Sequence, residues 1–164
     1  MPGHPVSNCS QSRYDTKLCS DIAEAAVTTE LLRRGLRVLR PIGDRLPYDL
    51  AIDWGGRLIR IQVKSAWFEP AKQLYTVDVR RTKTNRREMR RARYDTGDFD
   101  VAIVYVPDRH SFYVMPVEVF MRYRSGISLV ESRETQRLPR SAVFRERWDL
   151  LNPAHRGGHV RKYT

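Results

Sequence analysis

A mixed α/β (α+β) fold, one β-sheet flanked by helices, is what the sequence predicts, and three features carry that prediction. An amphipathic stretch over 15–34 stops at a glycine; a Gly-Gly pair joins two alternating segments over 49–64; a nearly continuous apolar run covers 100–106. At 164 residues the chain has the length of one domain.

Residues 1–13, rich in Pro, Ser and Gly and without periodicity, read as a flexible N-terminal arm, with the folded domain expected over 14–151. The first helix is predicted from about Asp15 to Arg34, its apolar positions at Leu18, Ile22, Ala25/Ala26, Thr29 and Leu32, with Gly35 as the glycine that ends it. A short strand follows at 36–39, then an irregular connection over 41–47 with Gly43 and two prolines. Residues 49–53 and 58–64 alternate on either side of Gly55-Gly56, the signature of a two-residue hairpin turn.

A strand is expected over 75–80. It leads into 80–93, which holds eight basic residues and one acidic; its first half reads as a loop and its second as a short helix. The run over 100–106 has the composition of a strand buried on both faces, and Asp108-Arg109-His110 turns it into a second strand over 111–115. Pro116 is placed to open a short helix reaching about Tyr123. One amphipathic piece spans 144–151, and 152–164 reads as a disordered basic tail.

Charge narrows the function. Thirty Lys and Arg against 19 Asp and Glu give a net +11, so a polyanionic partner is the first expectation. Val101 to Val106, the longest wholly apolar run, is far too short to span a bilayer, and no basic amphipathic helix with a bulky apolar face suggests a lipid surface. Nucleic acid therefore leads, with no membrane partner. Two cysteines, Cys9 and Cys19, are too few for a disulfide scaffold and are expected as thiols, and no secretory signal is expected at the N-terminus. Those readings place the protein in the cytoplasm, associated with the nucleoid.

The hairpin carries a geometric argument. A two-residue turn at Gly55-Gly56 pairs Trp54 with Arg57, and the same register sets Asp49 opposite Gln62, roughly 4.5–5.5 Å apart at Cβ. Lys64, two residues beyond Gln62, points to the same face, while Leu50, Ile52, Ile61 and Val63 take the other. A carboxylate, an amide and an ammonium group thus converge at one end of the hairpin. Asp53 and Arg60 share that face by parity and read as surface or supporting residues.

These residues resemble the PD-(D/E)XK nuclease superfamily, with Pro47-Tyr48-Asp49 for the acidic second motif and Gln62-Val63-Lys64 for the (D/E)XK triplet. Glu24 matches the helical glutamate that precedes them in many members. The ordered set of Asp21-Ile22-Ala23-Glu24, Leu31 to Gly35, Arg40 to Asp44, Tyr48-Asp49-Leu50 and Gln62 to Ser65 is similar to the group I intron-associated branch, which includes homing endonucleases. Asp100 to Pro107 and Tyr113 to Pro116 resemble a later block of that branch. Two departures from the superfamily pattern stand out: Tyr48 separates Pro47 from Asp49, and Gln62 replaces the usual acid, a replacement for which the branch is known.

The resemblance implies a restriction-endonuclease-like PD-(D/E)XK core and a Mg²⁺-dependent (or Mn²⁺-dependent) DNA endonuclease, with Glu24, Asp49, Gln62 and Lys64 as catalytic residues. Asp49, Gln62 and Glu24 would hold the metal. Since an amide oxygen adds no charge, metal affinity should be modest. Double-stranded DNA is the expected partner, and cutting both strands implies a homodimer or homotetramer. Taken singly, Glu24 reads as a solvated helix carboxylate, Asp49 as a strand-entry aspartate, and Gln62 and Lys64 as an exposed hairpin face; the chemical reading rests on their joint order. Lys83, Arg86, Arg87, Arg90 and Arg91 are the candidate DNA contacts, because clustered like charges gain most from a phosphate backbone. The alternatives are a structure-selective nuclease such as a Holliday junction resolvase, and a catalytically inactive nucleic-acid-binding module of the same fold. Trp54, Trp67 and Trp148 are expected in the core or an interface.

Overall fold

The computed structural model describes residues 15–43, 45–85, 88–131 and 138–156. The N-terminal arm over 1–13, Arg86, Arg87 and the tail from 157 onward lie outside the described residues.

Helix α1 spans Thr16–Arg33, and the Asp15 side chain caps it by accepting from the Leu18 amide at 2.8 Å. At its other end Gly35, at φ +73°, lets its own amide reach the Leu32 carbonyl and that of Leu36 reach the Leu31 carbonyl, a paired closure that favours glycine. The helix limits agree with the sequence; the buried face does not. Ala23, Val27 and Leu31 face the sheet, whereas Leu18, Ile22 and Leu32 of the expected apolar row are exposed. The helix carries two apolar rows, and only packing selects between them: α1 lies across the strands that follow, and they take the row with the smaller residues at its N-terminal end.

Strands β1 (Arg37–Leu39), β2 (Leu50–Trp54) and β3 (Arg57–Ser65) come next, with Gly55 and Gly56 both at positive φ in the tight turn between the last two. They are followed by β4 (Trp67–Glu69), β5 (Leu74–Asp78), β6 (Arg81–Asn85), β7 (Glu88–Ala92), β8 (Val101–Val106) and β9 (Ser111–Pro116). Helix α2 (Val117–Phe120), β10 (Gly126–Leu129) and the single turn α3 (Pro153–Arg156) complete the order, with short 3-10 segments at Pro107–Arg109, Arg140–Phe144 and Trp148–Leu151. The central sheet runs β1-β2-β3-β8-β9, antiparallel except where β8 lies parallel to β3. Arg60 sets that parallel pair, because Asp100 accepts from its amide at 2.8 Å and from its guanidinium Nε at 3.1 Å, while the Asp100 amide donates to the Arg60 carbonyl at 2.9 Å. Every residue of β8 and β9 is buried, which explains the continuous apolar run.

Several expectations need correction. The basic segment forms the hairpin β6–β7, with Lys83 opposite Arg90 and Thr82 opposite Arg91, in place of a loop and a helix; the cross-strand ladder overrides the helix propensity of its arginines. Strands β4 and β10 have no counterpart in the sequence reading, and with β5 they make a second sheet in the order β10-β5-β4. Pro116 closes β9 and precedes α2, so the strand runs further and the helix is shorter than predicted. The piece over 144–151 is no helix: Phe144 ends one 3-10 segment, Arg145 bridges to Tyr113 and Trp148–Leu151 forms another 3-10 segment, and Pro153–Arg156 is helical within the stretch expected to lack structure. Cys19 is disulfide-bonded, against the expectation of a thiol. Trp148 is buried and Trp54 packs on the core, but Trp67 is exposed. Among the described residues no helix is long and apolar enough to cross a membrane.

Candidate active site

The register predicted from the Gly-Gly turn is the one observed: Trp54 pairs with Arg57 and Leu50 with Ile61. Asp49, one residue before β2, therefore falls beside Gln62. Its amide donates to the Ile61 carbonyl at 3.0 Å, but at the next rung its carboxylate takes over from the backbone, Oδ2 accepting the Val63 amide at 2.7 Å and the Gln62 side-chain amide at 2.5 Å. Gln62 is 7% exposed, and its Nε2 also donates to its neighbour's carbonyl at 3.2 Å. Ala102 of β8 lies alongside it, a residue small enough to leave room on that side. The hairpin face that the alternation allowed to be solvated is thus covered.

Burial is the main force on Asp49. It raises the carboxyl from 3.8 to about 6, opposed by the Val63 hydrogen bond and reinforced by the charge of Glu24, while Lys64 and Arg40 pull it back. Lys64 is displaced in the matching sense. Burial lowers its ammonium below the usual lysine range, and the charges of Asp49 and Asp78 oppose that shift. Its Nζ donates to the Arg80 carbonyl at 3.1 Å and lies 5.0 Å from the centre of the Tyr94 ring. Arg80 and Tyr94 stand at the two roots of the β6–β7 hairpin, so the basic segment and the candidate site share a lysine.

Glu24 reaches the cluster from α1. Val27 and Leu31 of the same helix are buried, so its carboxylate sits at the margin of an apolar face, where Arg40 Nη2 donates to its Oε2. The four predicted residues therefore come together from α1, the entry to β2, and β3. Sequence reasoning missed Arg40 as a member of the cluster, along with Tyr94 and Asp78. Arg40 had a signal, since it opens the Arg40-Pro41 block; Tyr94 had none, because it reaches Lys64 only through the β6–β7 hairpin.

The donor set suits a hard divalent cation. Two carboxylates and an amide oxygen are what Mg²⁺ binds when water and phosphate complete its shell, and a half-buried pair of like charges gains from a cation. Among the described residues no group of three or more His, Cys, Asp or Glu side chains is placed to hold a metal ion. Of the predicted DNA contacts, Lys83, Arg90 and Arg91 lie on β6 and β7, a two-stranded sheet of its own; Arg86 and Arg87 fall outside the described residues.

Comparison with known proteins bears on this geometry. A family model described as PD-(D/E)XK endonuclease matches residues 14–151. The solved structure of a bacterial homing endonuclease, I-Ssp6803I, aligns with a TM-score of 0.79 at 46% sequence identity, covering 92% of this chain and 100% of that one. No curated protein matches.

Proposed function

The chain belongs to the PD-(D/E)XK endonuclease family, and from that membership we propose that it hydrolyses phosphodiester bonds in double-stranded DNA with Mg²⁺ or Mn²⁺, as a homing-type endonuclease. The observation that carries the reading is the pairing of Asp49 with Gln62 beside a half-buried Lys64. A charged carboxylate, a neutral oxygen donor and a cation on one face are what phosphate hydrolysis asks for.

Asp49 is the principal anionic ligand, the Gln62 amide oxygen the neutral one, and Glu24 completes the set directly or through water. A divalent ion held there would supply Lewis acidity to the phosphate and acidify a water molecule. Lys64 has no ligand role; its Nζ orients the attacking water and stabilises charge growing on the phosphorus. That ammonium donates to the Arg80 carbonyl, one hydrogen bond that a phosphate can replace. The β6–β7 hairpin contacts the phosphate backbone through Lys83, Arg90 and Arg91, with Arg86 and Arg87 between them in sequence. One site cuts one strand, so duplex cleavage engages two copies, in a homodimer or homotetramer.

The test is cleavage of supercoiled plasmid with Mg²⁺, with Mn²⁺ and in EDTA, beside a linear duplex and a four-way junction. Metal-dependent cutting of the linear duplex supports the proposal. Cutting confined to the junction makes the protein a resolvase, and DNA binding without cutting in any divalent ion makes it a binding module.

A further inference from the structure

We propose that Arg40 competes with the divalent cation for Glu24, and turns to a DNA phosphate when a metal ion takes its place. The inference rests on the metal site proposed above and extends it to a residue with no assigned part in it. Arg40 follows the end of β1 directly, and its Nη2 donates to Glu24 Oε2. Asp49 lies within electrostatic reach of both, its charge opposed by Glu24 and favoured by Arg40. Without a cation these two carboxylates repel, and Arg40 lowers that cost.

Its position suits an exchange. The side chain is 61% exposed against 23% for Glu24, so one end of the contact is anchored and the other lies at the surface. A guanidinium carries five donors in a planar fork and stays charged throughout the working pH range, the geometry that matches a phosphate. The next residue, Pro41, biases the Arg40 backbone toward an extended form, so the side chain moves on a restrained base. With a divalent ion held by Glu24 the guanidinium would lose its partner there, and a DNA phosphate would offer it an equivalent one. DNA and metal binding thereby favour each other, a coupling that acts in both directions.

The test uses the full chain with Arg40→Met, which keeps an aliphatic stem, and Arg40→Lys, which keeps the charge. Mn²⁺ binding to the DNA-free protein is measured by calorimetry, with Asp49→Asn as control. Arg40→Met should bind Mn²⁺ roughly fivefold more tightly or better, the low end of ordinary coupling between sites, and Arg40→Lys should lie near the parent. For duplex binding, Arg40→Met should lower the salt slope by about one phosphate's worth in Ca²⁺ and leave it unchanged in EDTA. Unchanged or weaker Mn²⁺ binding by Arg40→Met overturns the proposal, as does an unchanged slope in Ca²⁺. If Asp49→Asn itself leaves Mn²⁺ binding intact, the metal site is elsewhere, and the two failures are thereby told apart.

Discussion

Asp49 and Gln62 face each other where the β2–β3 hairpin opens, and the Gln62 side chain presents its nitrogen, not its oxygen, to the carboxylate. For the proposed ligand role the amide has to turn so that its oxygen, and not its nitrogen, faces the space shared with Asp49. If Gln62 ligates a metal as proposed, that hydrogen bond breaks on binding, and each candidate residue should fail in its own way when altered.

Asp49→Asn should stabilise the metal-free protein at neutral pH. A carboxyl whose folded value lies at about 6 against an ordinary 3.8 binds its proton more tightly in the folded state, so stability falls as pH rises between those values. Above pH 6 the penalty is complete, about 3 kcal/mol at most. Urea unfolding in EDTA should show the variant ahead of the parent at pH 8 and level with it near pH 3.5. Added Mg²⁺ should stabilise the parent alone, and cleavage by the variant should be lost.

Gln62→Glu exchanges a donor for a second carboxylate beside Asp49. In EDTA at pH 8 the change should cost about 1–3 kcal/mol, since a buried acceptor loses its partner and gains a like charge. In Mg²⁺ the order should reverse, with tighter metal binding and part of the activity kept. Gln62→Ala should lose most activity without that metal response. Melting curves in the two conditions check both variants.

Lys64→Met retains the methylene stem and removes the ammonium. Cleavage should fall by about 10²-fold or more, the scale for losing a group that stabilises transition-state charge. Mn²⁺ binding should stay measurable, because no ligand atom is removed. Calorimetry beside a single-turnover cleavage assay separates the two effects.

Replacing Lys83, Arg90 and Arg91 together with Gln should weaken duplex binding on all sequences alike. The slope of log affinity against log salt should flatten by about 0.9 for each phosphate that the variant no longer neutralises. An unchanged slope would move the DNA surface away from the β6–β7 hairpin.

The β2–β3 hairpin was legible because its signals are local: two glycines at positive φ between arms whose alternation fixes the register. From that register the placement of Asp49, Gln62 and Lys64 followed. Helix α1 was legible in extent, through Asp15 and Gly35, but not in orientation, since Leu18 and Ile22 look as suitable for burial as Val27 and Leu31 until a sheet is present. The β6–β7 hairpin was hidden for the opposite reason. Its arginines favour a helix and no glycine separates its arms, so nothing in the local sequence announces the pairing of Thr82 with Arg91. Tyr94 gave no sign of its place beside Lys64, 30 positions away, and Arg40, though marked by the Arg40-Pro41 block, gave none of its contact with Glu24, 16 positions away.

The turn at Gly55-Gly56 has a bearing on how the chain tolerates rearrangement. Both glycines are exposed, the Asp53 side chain secures the turn by accepting from the Gly56 amide at 2.9 Å, and the functional end of the hairpin lies away from it, pinned through Arg60 to Asp100. Residues added in matched numbers to both arms at the tip lengthen the ribbon outward and leave Asp49 facing Gln62. A single residue added to one arm between tip and site turns Gln62 and Lys64 away from Asp49 even if the chain still folds. The tip is therefore where an epitope tag, a fused domain or a pair of relocated termini should enter the molecule at least cost, and the arms behind it are where length variation among related chains should be absent.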